Sequence, residues 1–166
     1  MEIKTLLAED QHPELYSLLL ASCNGFDITT VQRGDHAVRA VKDANFDVIL
    51  MDVRLPYLDG FEATRQIRRF DQNTPIIIVT GYDSQQSRAA AFMAGANAYF
   101  VKPINYQTLA LKIIELVIAR PRQPEGDTVE FKRRRLSLLK QQQALHGSDT
   151  PPHITIEIQN LEEELR

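Results

Sequence analysis

Residues 46–60 read FDVILMDVRLPYLDG, and in them four consecutive apolar positions, Val48 to Met51, end abruptly on the carboxylate of Asp52. Pro56 and the Asp59-Gly60 pair follow at once and turn the chain away. A strand that is apolar on consecutive positions, and not merely on alternate ones, is buried on both faces, the condition of a parallel sheet covered by helices. Segments of strand length recur at Ile3 to Ala8, Ile28 to Val31, Ile76 to Val79 and Tyr99 to Val101.

Stretches with helical spacing lie between and after these segments. Leu15, Leu18, Leu19 and Ser22 share one face, as do Ala37, Val38 and Val41. Phe61, Thr64, Ile67 and Arg68 follow Gly60 in the same rhythm, Ala89, Ala90 and Met93 follow Ser84, and Leu109, Ile113, Leu116 and Val117 close the series. Five alternations of strand and helix predict an α/β fold over residues 1–120, a doubly wound five-stranded parallel sheet. In such sheets, functional groups collect beyond the carboxyl ends of the strands.

The residues that leave the strands are Glu9 and Asp10 after the first, Asp52 after the third, Thr80 after the fourth and Lys102 after the fifth. In the common strand order 2-1-3-4-5 the first and third strands are neighbours, so Glu9, Asp10 and Asp52 converge. Three adjacent carboxylates raise one another's pKa unless a cation is present. Magnesium, which takes oxygen ligands and keeps places for water and phosphate oxygens, is the natural partner. Lys102 offers a compact charge on a long stem, and Thr80 a hydroxyl donor. A carboxylate nucleophile beside a metal, a lysine and a hydroxyl is a sufficient site for phosphoryl transfer.

LLAED, DVILMDVRLPYLDGFEA, PIIIVTG and AGANAYFVKPI, in this order, resemble the receiver domain of bacterial two-component response regulators over residues 1–120. The resemblance implies a flavodoxin-like sheet of order 2-1-3-4-5. It implies that Asp52 accepts phosphate from a sensor histidine kinase or phosphotransfer protein, and that Glu9, Asp10, Asp52 and the backbone carbonyl of Arg54 hold Mg2+. It further implies that Thr80 and Tyr99 form a switch pair, that Lys102 contacts the phosphoryl group, and that the Lys102-Pro103 bond is cis. Gly81 stands where alanine is more usual. Arg54 places a cation beside the site, where it bears on the lifetime of the acyl phosphate.

After Arg120 the character changes. PRQPEGD within residues 121–128 reads as a linker, and residues 129–166 read as a helical hairpin with coiled-coil spacing. Thr150 is expected to cap the second helix ahead of Pro151. Ile154, Ile158, Leu161 and Leu165 form its stripe, with Leu138, Gln142 and Leu145 as the facing stripe. Two short helices bury little alone, so the hairpin needs the receiver surface or a second copy; a homodimer through the hairpin or the fourth-to-fifth-helix face is expected.

The run Lys132 to Arg135 invites a nucleic-acid reading, but residues 121–166 carry seven Lys or Arg against eight Asp or Glu. A basic helix facing Glu162 to Glu164 is the better expectation, and no helix-turn-helix of adequate size is present. The whole chain, at net charge -3, gives no reason to expect nucleic acid or an anionic membrane. The single Cys23, the lack of a long apolar run and an acidic N-terminal segment are those of a cytoplasmic protein.

Output is then expected to be a contact with a downstream protein rather than turnover. Two other classes compete: a phosphatase with an aspartyl nucleophile, and a scaffold that uses the fold without phosphorylation. The dehalogenase-type phosphatases place an aspartate two residues after the nucleophile, where this chain has Arg54.

Overall fold

The computed structural model describes residues 2–14, 16, 23, 25–120 and 129–166. The helix expected over Leu15 to Ser22 and the linker expected over 121–128 fall outside the described residues. Strands β1 (Ile3–Ala8), β2 (Phe26–Val31), β3 (Val48–Met51), β4 (Ile76–Thr80) and β5 (Ala98–Val101) form one parallel sheet of order β2-β1-β3-β4-β5. Helices α1 (Gly34–Asp43), α2 (Gly60–Arg68), α3 (Gln85–Ala94) and α4 (Tyr106–Ile118) connect and flank it. They correspond to the second to fifth helices expected from sequence.

The consecutive apolar residues of β3 divide between two cores. Ile49 and Met51 point to the side that holds Ala37 of α1, Ala63 and Ile67 of α2, and Ala91 of α3. Val48 and Leu50 point to the other, against Leu109, Ile113 and Val117 of α4. All four are at most 1% exposed. Burial of each such side chain contributes about 1.5–3 kcal/mol, and together they hold the end of β3 rigidly. The edge strand β2 is the least covered: Phe26 is buried, Ile28 and Val31 are half-buried, and Asp27, Thr29 and Thr30 are exposed.

The turn from β3 into α2 gives the DG pair its role. The Asp59 carboxylate accepts hydrogen bonds from the amides of Phe61 and Glu62 and so caps α2. A Cβ on Gly60 would lie 2.0 Å from the Asp52 carbonyl oxygen and 3.0 Å from Val53 Cα. Sequence alone assigns these residues to a turn without chemistry; the fold makes Gly60 a condition for placing Asp52. Because the obstacle is backbone, Gly60→Ala is expected to destabilise the chain by about 1–3 kcal/mol in a denaturant titration, as overpacking does. By contrast, a Cβ at Gly81 meets nothing within 4 Å, so no steric reason requires glycine there.

The C-terminal residues form α5 (Val129–His146), a 3-10 turn (Gly147–Asp149) and α6 (Pro152–Glu164). Leu138 of α5 joins the core that contains Ile3, Phe26, Ile113 and Val117, with Leu145 packed against its edge. Leu139 meets Ile154, Ile158 and Leu161 of α6, flanked by Leu136 and Ile118. The stripe Leu138, Gln142, Leu145 therefore does not face α6 as its spacing predicts: Leu138 and Leu145 face the receiver core. The physical reason is that α5 lies between α4 and α6 and needs two apolar faces, which blurs any single periodic stripe.

Thr150 is also corrected. Its hydroxyl donates to the Gly147 carbonyl at 2.8 Å, with the Gln143 carbonyl 3.3 Å away, so it ties down the end of α5, while Pro151 occupies the N-cap of α6 and makes no side-chain cap.

Lys132, Arg134 and Arg135 of the cationic run of α5 are engaged within the chain. Lys132 pairs with Glu164 at 3.0 Å and Lys140 with Glu162 at 2.6 Å, which is the expected facing of basic and acidic helices. Arg135 pairs with Glu157, and Arg134 reaches across to Asp47, the residue that precedes β3. Asp47 also accepts the Lys4 amide at 2.9 Å and lies 3.9 Å from Arg120. The pairs of Lys132 and Lys140 fix orientation more than they stabilise, since exposed ion pairs contribute about 0–1 kcal/mol each, whereas Asp47 is buried. Among the described residues no helix is long and apolar enough to cross a membrane.

Candidate functional site

The parallel register brings the ends of β1 and β3 side by side. The Asp52 amide donates to the Ala8 carbonyl at 2.9 Å, and the Glu9 amide donates to Val31 at 3.0 Å. The Lys102 amide donates to the Thr80 carbonyl at 2.8 Å, which brings the end of β5 to the same edge. The Lys102-Pro103 peptide is cis, as the resemblance implies.

Lys102 Nζ donates to Glu9 Oε2 and to Asp52 Oδ2, each at 2.5 Å. The other oxygen of each carboxylate accepts a backbone amide: Glu9 Oε1 from Gln11 at 2.9 Å and Asp52 Oδ1 from Arg54 at 3.1 Å. Glu9 is 2% exposed and Asp52 7%. Beneath them lie Leu7, Leu50, Val79, Ile104 and Leu109, an apolar floor that strengthens every charge interaction above it.

Burial alone disfavours each charge, and the hydrogen bonds decide the balance. Burial pulls the Lys102 ammonium down, but its bonds to Asp52 and Glu9 outweigh this and raise its pKa above the ordinary lysine value. Burial also raises Glu9, yet the bonds from Lys102 and the Gln11 amide leave it below the usual carboxylate range. Asp52 is raised because burial outweighs the help it receives from Lys102 and the Arg54 amide. One ammonium thus serves two carboxylates, and Asp52 is the less satisfied of the pair.

Asp10 completes the acidic group. Carboxylate oxygens of Glu9, Asp10 and Asp52 lie within 4.8 Å of one another, and Asp10 Oδ1 is buried without a hydrogen-bond partner. A buried orphan acceptor costs about 1–3 kcal/mol, so the arrangement fits a hard divalent cation that takes oxygen ligands.

The other expected residues stand close by. Thr80 ends β4, 1% exposed, and its hydroxyl oxygen accepts the Tyr82 amide at 3.4 Å. Tyr99 is 8% exposed, with its hydroxyl 2.7 Å from the Tyr82 carbonyl and 2.9 Å from Ser87 Oγ. The Arg54 guanidinium sits 5.0 Å from the centre of the Tyr82 ring. Tyr82 and Ser87 carry no sequence signal; only the fold brings them to Tyr99 and Thr80. A cavity of about 1090 Å3, lined by Phe46, Asp47, Asn73 and Arg134, contains none of the residues expected to act.

Residues 6–114 match the response regulator receiver domain family. This chain belongs to that family. It is 42% identical over 111 residues to the autoinducer 2 sensor kinase/phosphatase LuxQ of Vibrio vulnificus, covering 64% of this chain but only 13% of LuxQ. It is 33% identical over 119 residues to protein PilH of Pseudomonas aeruginosa, covering 70% of this chain and 98% of PilH. The receiver domain of a sensor histidine kinase from Pseudomonas aeruginosa, solved with a magnesium ion coordinated in its active-site cleft, superposes with a TM-score of 0.66 at 35% identity. That match covers 70% of this receiver chain and 98% of the other. Residues after 114, which include α5 and α6, lie outside the receiver family match.

Proposed function

We propose that the chain is the phosphoacceptor of a two-component phosphorelay, with Asp52 as the residue that takes a phosphoryl group from the phosphohistidine of a sensor kinase or phosphotransfer protein in the cytoplasm. The observation that carries this reading is the shared Lys102 ammonium on Asp52 and Glu9, beside the orphaned oxygen of Asp10. An oxygen of Asp52 attacks phosphorus, the bond from phosphorus to the donor imidazole nitrogen breaks, and its electron pair returns to the ring. Transfer of this kind asks the protein for position and charge neutralisation, which the rigid end of β3 and Lys102 supply.

Glu9, Asp10, Asp52 and the carbonyl of Arg54 would hold Mg2+. When bound, the ion neutralises phosphoryl oxygens and relieves the repulsion among the carboxylates. Lys102 is placed to exchange a carboxylate oxygen for a phosphoryl oxygen. The Thr80 hydroxyl oxygen, which accepts a long bond from the Tyr82 amide, is placed to turn toward the same group, and Tyr99 responds through the loop after β4. Output is a change in the face formed by α3, β5 and α4, read by a downstream protein or by a second copy of the chain. Association through the α5–α6 stripe is disfavoured, because Leu139, Leu136 and Ile118 already cover it in cis. Residues 1–120 are the receiver, 121–128 its linker and 129–166 a docked extension. Turnover of external phosphate esters finds no support: the position two after Asp52 is Arg54, whose guanidinium rests on Tyr82.

Incubation with magnesium and acetyl phosphate is expected to add one base-labile phosphoryl group, seen by intact mass. Asp52→Ala is expected to abolish it. An adduct that persists in Asp52→Ala, or none in the unaltered chain from either acetyl phosphate or a histidine kinase, would sink this reading.

A further inference from the structure

The Tyr99 hydroxyl has two oxygen neighbours, the Tyr82 carbonyl at 2.7 Å and Ser87 Oγ at 2.9 Å. A phenol has one proton and a carbonyl can only accept. Tyr99 therefore donates to Tyr82, and Ser87 supplies its own proton to the Tyr99 oxygen. Ser87 is itself fixed, because its amide donates to Ser84 Oγ at 3.0 Å in the first turn of α3. The ring is closed over from outside: the Arg88 guanidinium lies 5.0 Å from its centre and is held by Asp83 at 2.8 Å.

Tyr82 links this clamp to the acidic edge through its two backbone groups. Its amide is on the Thr80 hydroxyl and its carbonyl on the Tyr99 hydroxyl. All these contacts join groups of the chain itself.

We propose that Ser87 is a positioning residue whose hydroxyl holds Tyr99 inward, so that it sets the inward-to-outward ratio on which a phosphoryl group at Asp52 acts. A ligand can shift a two-state element only by its preference for one state, and a clamp of this kind sets the starting ratio. The inference rests on the reading of Tyr99 as the switch residue. Loss of one neutral hydrogen bond of ordinary net strength changes the inward-to-outward ratio about fivefold.

The test uses the full chain with 13C-labelled tyrosine and no phosphodonor. A soluble paramagnetic chelate broadens ring signals in proportion to their exposure, and Tyr57, at 80% exposed, serves as the internal reference. The Tyr99 signal, assigned with Tyr99→Phe, is expected to be weakly broadened in the unaltered chain and about fivefold more in Ser87→Ala, with Ser87→Thr restoring protection because it restores the hydroxyl. Broadening of Tyr99 to the level of Tyr57 in the unaltered chain overturns the proposal. Equal broadening in the unaltered chain and Ser87→Ala overturns it too, as does failure of Ser87→Thr to restore protection. Intact mass after acetyl phosphate treatment of the same samples keeps the two readings apart. Loss of the adduct from every sample removes the phosphoacceptor reading, while the broadening still decides the clamp.

Discussion

Lys102→Met is expected to slow formation of the Asp52 adduct about 100- to 1000-fold at fixed magnesium and acetyl phosphate, measured by intact mass against time. The side chain keeps its length and loses its charge, so the transferred group meets no ammonium. The same change alters stability in a pH-dependent way. Lys102 is the cation that hydrogen-bonds both Glu9 and Asp52, and without it two buried carboxylates face each other. Breaking a buried charge pair by removing one partner costs about 3–5 kcal/mol. Because Lys102 is one-fifth exposed, the lower end of that range is expected at neutral pH.

The sign is set by linkage. Without Lys102 the folded-state pKa of the carboxylate pair rises above the unfolded value, so the folded chain binds more protons between those two values. The stability deficit is therefore small below the ordinary carboxylate pKa and grows as pH rises through the folded-state value. Urea midpoints for Lys102→Met and the unaltered chain are expected to converge at acidic pH and diverge toward neutrality. Added magnesium is expected to recover part of the neutral-pH loss through Glu9, Asp10 and Asp52. A deficit independent of pH and of magnesium would mean that Lys102 is merely packed and not neutralising the pair.

Removal of the chain after Arg120 is expected to lower the melting temperature by about 10 °C, as a loss of about 3 kcal/mol does in a domain of this size. The hairpin is built into the receiver. Leu138 is 7% exposed in the core that contains Ile3, Phe26 and Val117, and Asp47 loses its ion pair to Arg134 when the tail goes. Leu138→Ala in the full chain is expected to cost about 2–5 kcal/mol, the range for a buried leucine. Leu145, packed at the edge of the same core, is expected to cost less. If truncation left stability unchanged and instead reduced the mass of the assembly in sedimentation, the hairpin would be a dimer element and not a docked extension.

The outline of the receiver is legible in the sequence because β3 and β4 are apolar on nearly every position. A strand of that kind has to be covered on both faces, and the helix-period segments around it are the material suited to do so. Asp52 stands out for the same reason: a carboxylate at the end of such a strand has no place unless it is used. Tail placement is less legible. Leu138 and Leu139 are adjacent and equally apolar, and which of them faces the receiver depends on where α4 and α6 lie. Thr150 likewise has a hydroxyl suited to either neighbouring helix, and only the turn between them directs it to Gln143 and Gly147.

By itself the sequence determined the strands, the helices from α1 to α4 and which carboxylates and which lysine leave the strand ends, because strand periodicity and strand ends are local properties; the strand order that brings those ends to one edge came with the resemblance to receivers. Tertiary structure alone decided that Lys102 bridges Glu9 and Asp52, and that Gly60 must lack a side chain beside the Asp52 carbonyl. It alone also decided that Tyr82 and Ser87 hold Tyr99. Each of these depends on the distance between atoms far apart in the chain, which burial of the two cores sets and no local pattern encodes.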